Sequence, residues 1–201
     1  SGIGRAQGRR AAGGAQPQTF AHSRCGLPAW RRAMTHDPEH LNRLRFLLRV
    51  VQRERKQLQN TDRRVFDEPF TVARARQLDT DVELSERIEA FASRFSRLQD
   101  TVGDKLIPIV LRMLGESPGA AIDNFDRAER LGWLASADEW MSTRLLRNQM
   151  IHEYIEDPAI LASALQAAHE RVPMLVATTL ALEAEVENRG WLVTATSTPP
   201  T

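Results

Sequence analysis

From Leu84 to Met113 the chain sets Leu84, Ile88, Phe91, Phe95, Leu98, Val102, Leu106, Ile109 and Met113 at intervals of three or four. A period of about 3.6 residues gathers such positions on one side of an α-helix, whereas a strand would need alternation at every second residue. One long apolar stripe requires helices of similar length to cover it, so the chain is constrained toward a helical bundle. The segment opens at "TDVE", where Thr80 and Glu83 have the spacing of a capping box. Pro108 predicts a kink, and Gly115 predicts the end.

The remaining segments supply partners. "DPEHLNRLRFLLRVVQRERKQLQ" has Asp37 at the N-cap, Pro38 at the first helical position, and Leu41, Leu44, Leu48, Val51 and Leu58 on one face. "AAIDNFDRAERL" predicts a short helix that stops at Gly132. Ser136 and Glu139 form a second capping box and start a helix that includes Trp140. Asp157 and Pro158 start the last one, with Ile160, Leu161, Leu165, Val172, Leu175, Val176, Leu182 and Val186 inside and an end near Arg189. No segment alternates β-branched residues as a strand would. The fold class is therefore all-α, a four-helix up-and-down bundle over residues 38–189 with one extra short helix. Residues 1–37, rich in Gly, Ala, Arg and Gln, read as a disordered or vector-derived extension in which Met34 is a candidate natural start. Residues 190–201 read as a frayed tail.

Composition narrows the function. With 201 residues, 42% hydrophobic and 26% charged, the chain is that of one ordinary globular domain. Its longest apolar runs, "LIPIVL" and "VPMLVATTLAL", fall short of a membrane span, so a soluble, cytoplasmic protein without membrane contact is expected. The single cysteine, Cys25, offers no disulfide framework. Residues 1–34 carry six Arg and no acid, so residues 35–201 sum to −5 against the total of +1. Nucleic-acid binding would then rest on local patches. Residues 41–76 hold such a patch, ten basic and four acidic side chains including Arg53, Arg55, Lys56, Arg63 and Arg64. Runs of this kind are usually a solvated helix face, with contact to RNA or a partner as the alternative.

Several signatures of common chemistry are missing. There is no Gly-rich phosphate loop, no GxSxG elbow and no HExxH. His22, His36, His40, His152 and His169 lack ligand spacing, so no metal and no cofactor are expected. The acid pair Asp79 and Asp81 precedes a helix and reads as capping.

One stretch stands out, "RLLRNQMIHEY" from Arg144 to Tyr154. At 100° per residue Arg147 and Tyr154 lie about 20° apart in projection, and Asn148 and His152 about 40° apart. A fixed cation, an amide, an imidazole titrating near neutrality and a phenol thus share one patch, with Arg147 long enough to reach toward His152. Such a set suits a phosphodiester: Arg holds and neutralises the phosphate, and His moves a proton. An ordinary polar helix end, with His favoured by the helix dipole, is the plain alternative.

"RNQMIHEY" resembles the R-x4-H-x-Y motif of the HEPN superfamily, specifically the HepT-like toxins of HEPN/MNT toxin/antitoxin pairs. The surrounding "ERLGWLASADEWMSTRLLRNQMIHEYIEDP" and the preceding "RFSRLQDTVGDKL" are similar to the same family, over roughly residues 80–187. The resemblance implies a metal-independent ribonuclease acting as a homodimer whose two motifs face one cleft. In it Arg147 would bind the scissile phosphate, His152 would be the general acid/base, and Asn148 would orient one of them. Tyr154 would be the residue to which a partner MNT-type nucleotidyltransferase antitoxin attaches AMP. Asp100, on the long helix, would be an accessory polar member of the cleft or simply an exposed acid. The alternative within the family is a non-catalytic HEPN subunit that binds or presents nucleotide to a nucleotidyltransferase.

Overall fold

The computed structural model describes residues 37–152 and 157–192, without the side chains of Asn148, Ile151 and His152. All regular structure among them is helical, and no strand occurs. In chain order the helices are α1 (Pro38–Val65), α2 (Val72–Arg76), α3 (Val82–Asp100), α4 (Ile107–Met113), α5 (Ala121–Arg130), α6 (Ala137–His152) and α7 (Pro158–Asn188). A 3-10 turn, Gln77–Asp79, follows α2, and a π-helical segment, Thr101–Leu106, joins α3 to α4 without a break.

The register of cross-helix contacts gives the topology. Arg55 meets Glu183 and Asp62 meets His169, so α1 and α7 are antiparallel. On α3, Asp100 meets Arg147 and Asp104, just beyond it, meets Arg144, so the long helix and α6 are antiparallel too. Glu139 pairs with Arg171 while Leu146 and Gln149 border Ile160 and Ser163, which sets α6 against α7 in the same sense. Arg94 of α3 reaches Thr61 of α1, beside the end of that helix. The long helices α1, α3–α4, α6 and α7 therefore form an up-down-up-down bundle, with α2 and α5 as short additions.

All nine positions of the periodic stripe from Leu84 to Met113 are buried, as are Leu44, Leu48, Val51 and Leu58 of α1. Leu41 packs only partly. On α7, Leu161, Leu165, Val172, Leu175, Leu182 and Val186 are buried and Val176 is partly so. Ile160 is 43% exposed, against expectation, because it and Leu161 differ by 100° around the helix and only Leu161 can face the core. Trp140 and Phe125 are fully buried and tie α5 and α6 to the π-helical segment.

Local signals explain most boundaries. Asp37, Asp157 and Ser136 each accept a backbone N–H of the first turn, at 2.9, 2.7 and 3.2 Å. The cap expected at Thr80 moves by one residue: Asp81 accepts from the Leu84 N–H at 2.9 Å, and the Thr80 hydroxyl donates back to the Gln77 carbonyl. Both are good caps, but the 3-10 turn brings the chain into α3 one residue later. Neither Glu83 nor Glu139 closes a capping box, since their carboxylates pair with Arg87 and Arg171. The helix α2 was not foreseen; Thr71 caps it and Ala75 is its buried face.

At the other ends, Gly115 and Gly132 have φ of 83° and 77° and terminate their helices as expected. Gly190 does the same for α7, and the Trp191 N–H bonds the Val186 carbonyl at 3.3 Å. That closing turn seats Trp191 in the core, where a frayed tail was expected from residue 190. Residues 1–36 and 193–201 lie outside the described residues.

The expected kink at Pro108 takes a different form. Pro108 has no N–H and its ring would press on the carbonyl four residues back. The hydrogen bonds widen before it instead, the Ile107 N–H reaching the Val102 carbonyl five residues back. A π turn of this kind rearranges the helix surface locally and is frequent at functional sites.

Candidate functional site

The π-helical segment presents two acids, Asp100 at its start and Asp104 within it, toward α6. Arg147 Nη1 lies 3.0 Å from Asp100 Oδ2 and 3.2 Å from Oδ1. Three residues earlier on α6, Arg144 makes a two-pronged contact with Asp104 at 3.0 and 3.2 Å and lies over the Phe125 ring. Part-exposed pairs of this kind contribute about 0.2–1 kcal/mol each. Their main effect is positional: a long guanidinium that would otherwise sample many rotamers is held at one place.

Arg147 and Asp100 both line a groove of about 400 Å³ between α3 and α6. Ile88, Ala92 and Met150 supply its apolar lining, and Glu89, Ser93, Ser96, Arg97, Asp100 and Arg147 its polar lining. The Ser96 hydroxyl is buried and has no hydrogen-bond partner among the described residues. A concavity of this size, mostly apolar with a few convergent polar groups, is the usual form of a small-molecule or nucleotide site.

Of the residues singled out in the sequence, Arg147 and Asp100 are brought into direct contact. His152 is the last residue of α6. The side chains of Asn148 and His152, and Tyr154 altogether, lie outside the described residues, so the reach of Arg147 toward His152 does too. Among the described residues no group of three or more His, Cys, Asp or Glu is gathered as a metal ion would need. No helix there is long and apolar enough to cross a membrane.

Sequence reasoning missed Asp104, Arg144, Arg97 and Ser96. Their alignment depends on the register between two helices more than thirty residues apart in the chain, for which the sequence carries no local signal. It also missed Glu54 of α1. Burial raises the pKa of its carboxyl above the ordinary value, against the opposing pull of a hydrogen bond from Thr101 and the charges of Arg97 and Lys105. One of its oxygens is buried without a partner among the described residues. Glu183 is shifted the same way, because its burial outweighs the attraction of Arg55.

Compared with protein-family models, with curated proteins and with solved structures, the chain matches none.

Proposed function

We propose that this chain is a cytoplasmic, metal-independent endoribonuclease toxin of the HEPN/MNT type. It works as a homodimer and is neutralised by a partner nucleotidyltransferase that AMPylates Tyr154. The observation that carries the reading is the position of Arg147, held by Asp100 in the lining of the groove between α3 and α6, on the helix that carries the R-x4-H-x-Y string as far as His152.

In this reading the 2′-hydroxyl of the RNA attacks the adjacent phosphorus, which needs no metal. The new O2′–P bond forms as the P–O5′ bond breaks, leaving a 2′,3′-cyclic phosphate and a 5′-hydroxyl. His152 of one protomer takes the 2′-hydroxyl proton, and the same residue of the partner protonates the departing 5′-oxygen. Arg147 neutralises charge on the non-bridging oxygens, with Asp100 as its positioning residue and Asn148 orienting one member of the pair. One Arg and one His make a thin site, and pairing two copies supplies two of each. An AMP on Tyr154 would bring a second phosphate to the same cation and crowd the cleft.

A second reading is a non-catalytic subunit that binds nucleotide for a nucleotidyltransferase. It is favoured by the neutralisation of Arg147 by Asp100 and by the net −5 of residues 35–201. Incubation of the pure chain with RNA separates the two: the first predicts cleavage that Arg147→Ala and His152→Ala abolish, the second predicts binding without cleavage.

A further inference from the structure

On the other side of α3, its first half and the end of α1 enclose a second groove of about 300 Å³. Arg64 of α1 and Arg87 and Arg94 of α3 converge on it, together with Thr61. Ala90, between the two α3 arginines, is the small apolar member of its lining. The Arg94 guanidinium rests on the Thr61 hydroxyl, which is itself anchored to the Gln57 carbonyl at 2.9 Å, so its direction is fixed. The Arg87 Nε is buried without a partner among the described residues.

Charge bookkeeping decides what such a groove can take. Glu83 and Glu86 also border it, and Glu83 is paired with Arg87. Arg64 and Arg94 make no ion pair with a described residue and so outnumber Glu86. Two unpaired planar guanidiniums facing one concavity match the bidentate geometry of a phosphate better than that of any neutral group. The line then continues: Arg87, Arg94, Arg97 and Asp100 are spaced seven, three and three along the helix. At about 1.5 Å and 100° per residue, this path rises about 20 Å while turning from the α1 side of α3 to the α6 side. Its far end is the contact of Asp100 with Arg147.

We propose that this groove binds the phosphate backbone of a single RNA strand whose scissile phosphate lies at Arg147, an inference that rests on the ribonuclease reading above. A single strand fits because the cations wind around one helix, from this groove to Arg97 and Arg147 in the groove between α3 and α6, where Glu89 and Asp100 also lie, a path a duplex cannot follow. The contribution is about two phosphate contacts, since the paired arginines must first leave their carboxylates.

The test uses the full chain and an unstructured oligoribonucleotide carrying 2′-O-methyl groups, which cannot be cleaved. Its binding is measured by fluorescence anisotropy across a salt series for the parent, Arg64→Ala/Arg94→Ala, and Arg112→Ala/Arg130→Ala. The last removes the same charge away from the groove. Each single-strand phosphate contact contributes about 0.7 to the slope of log affinity against log salt. The groove variant should therefore lose about 1.4 in slope and bind roughly tenfold more weakly at low salt, with the control unchanged. Arg94→Lys should keep most of the slope, and Arg64→Glu, at an exposed and unpaired position, should weaken binding without unfolding the chain. Unchanged affinity and slope in the groove variants, equal losses in the control, or no binding by the parent would each overturn the proposal. Cleavage of unmodified RNA by the parent is scored separately. Binding that follows the groove without cleavage refutes the ribonuclease reading and leaves the groove standing, and cleavage with unchanged binding in the groove variants does the reverse.

Discussion

Replacing Gly103 by Ala puts one methyl group into the tightest contact between the π-helical segment and its neighbours. A Cβ there would stand 3.0 Å from Trp140 Nε1 and 3.3 Å from two atoms of the Phe125 ring. Both neighbours are fully buried, so neither can move away without displacing others. Overpacking of this kind costs about 1–3 kcal/mol, while exchanging Gly for Ala within a helix returns roughly 0.5–1 kcal/mol. At the middle of both ranges the contact wins, leaving a net loss of about 1 kcal/mol and a fall in Tm of roughly 2–4 °C for a domain of this size. Thermal unfolding followed by circular dichroism reads it directly. The double-mutant cycle with Trp140→Phe isolates the cause: removing the indole should lessen the cost of Gly103→Ala by a measurable fraction of a kcal/mol. A variant that melts higher than the parent by the helix-propensity gain alone would refute the packing argument.

Four further outcomes are expected. Glu54→Gln should raise the Tm near neutral pH. Burial lifts the carboxyl pKa, so between the ordinary and the raised value the folded chain keeps a proton that the unfolded chain has released; the stability this carries is present below the ordinary glutamate pKa of about 4.3 and is lost as pH rises through the raised value. Melting curves across pH should show the two proteins converging in acid, and a gap that widens in acid would contradict this. Asp81→Ala, which removes the acceptor of the Leu84 N–H, should cost about 1 kcal/mol by urea unfolding, where loss of Thr80 should cost little. Asp100→Asn should leave Arg147 unpaired, tightening RNA binding severalfold while turnover falls because the guanidinium is no longer held. Trp191→Ala should destabilise the chain by about 3–5 kcal/mol if the closing turn of α7 belongs to the core, and by almost nothing if the tail is frayed.

The bundle was legible because helix signals are local. The stripe from Leu84 to Met113 repeats over thirty residues, and caps such as Asp37, Ser136 and Asp157 act on N–H groups two or three residues away. What the chain did not disclose depends on register or on competition. Asp81 displaced Thr80 because the unforeseen turn at Gln77–Asp79 set where α3 begins. Pro108 suggested a kink, but which turn would absorb it depends on Gly103 fitting under Trp140 and Phe125. In the candidate site, Arg147 was readable as one member of a local string. Its contact with Asp100, and the parallel contact of Arg144 with Asp104, exist only once α3 and α6 are set antiparallel at one register.

Whether Arg147 and His152 cleave RNA is tested most directly by one comparison. The pure chain, Arg147→Ala and His152→Ala, each checked for folding, are incubated with RNA in the presence of a chelator, and the new ends are analysed. Cleavage by the parent should leave 2′,3′-cyclic phosphate ends, be lost in both variants, and disappear when AMP is attached to Tyr154. Intact RNA with the folded, unmodified parent, or equal cleavage by all three proteins, would contradict the ribonuclease reading.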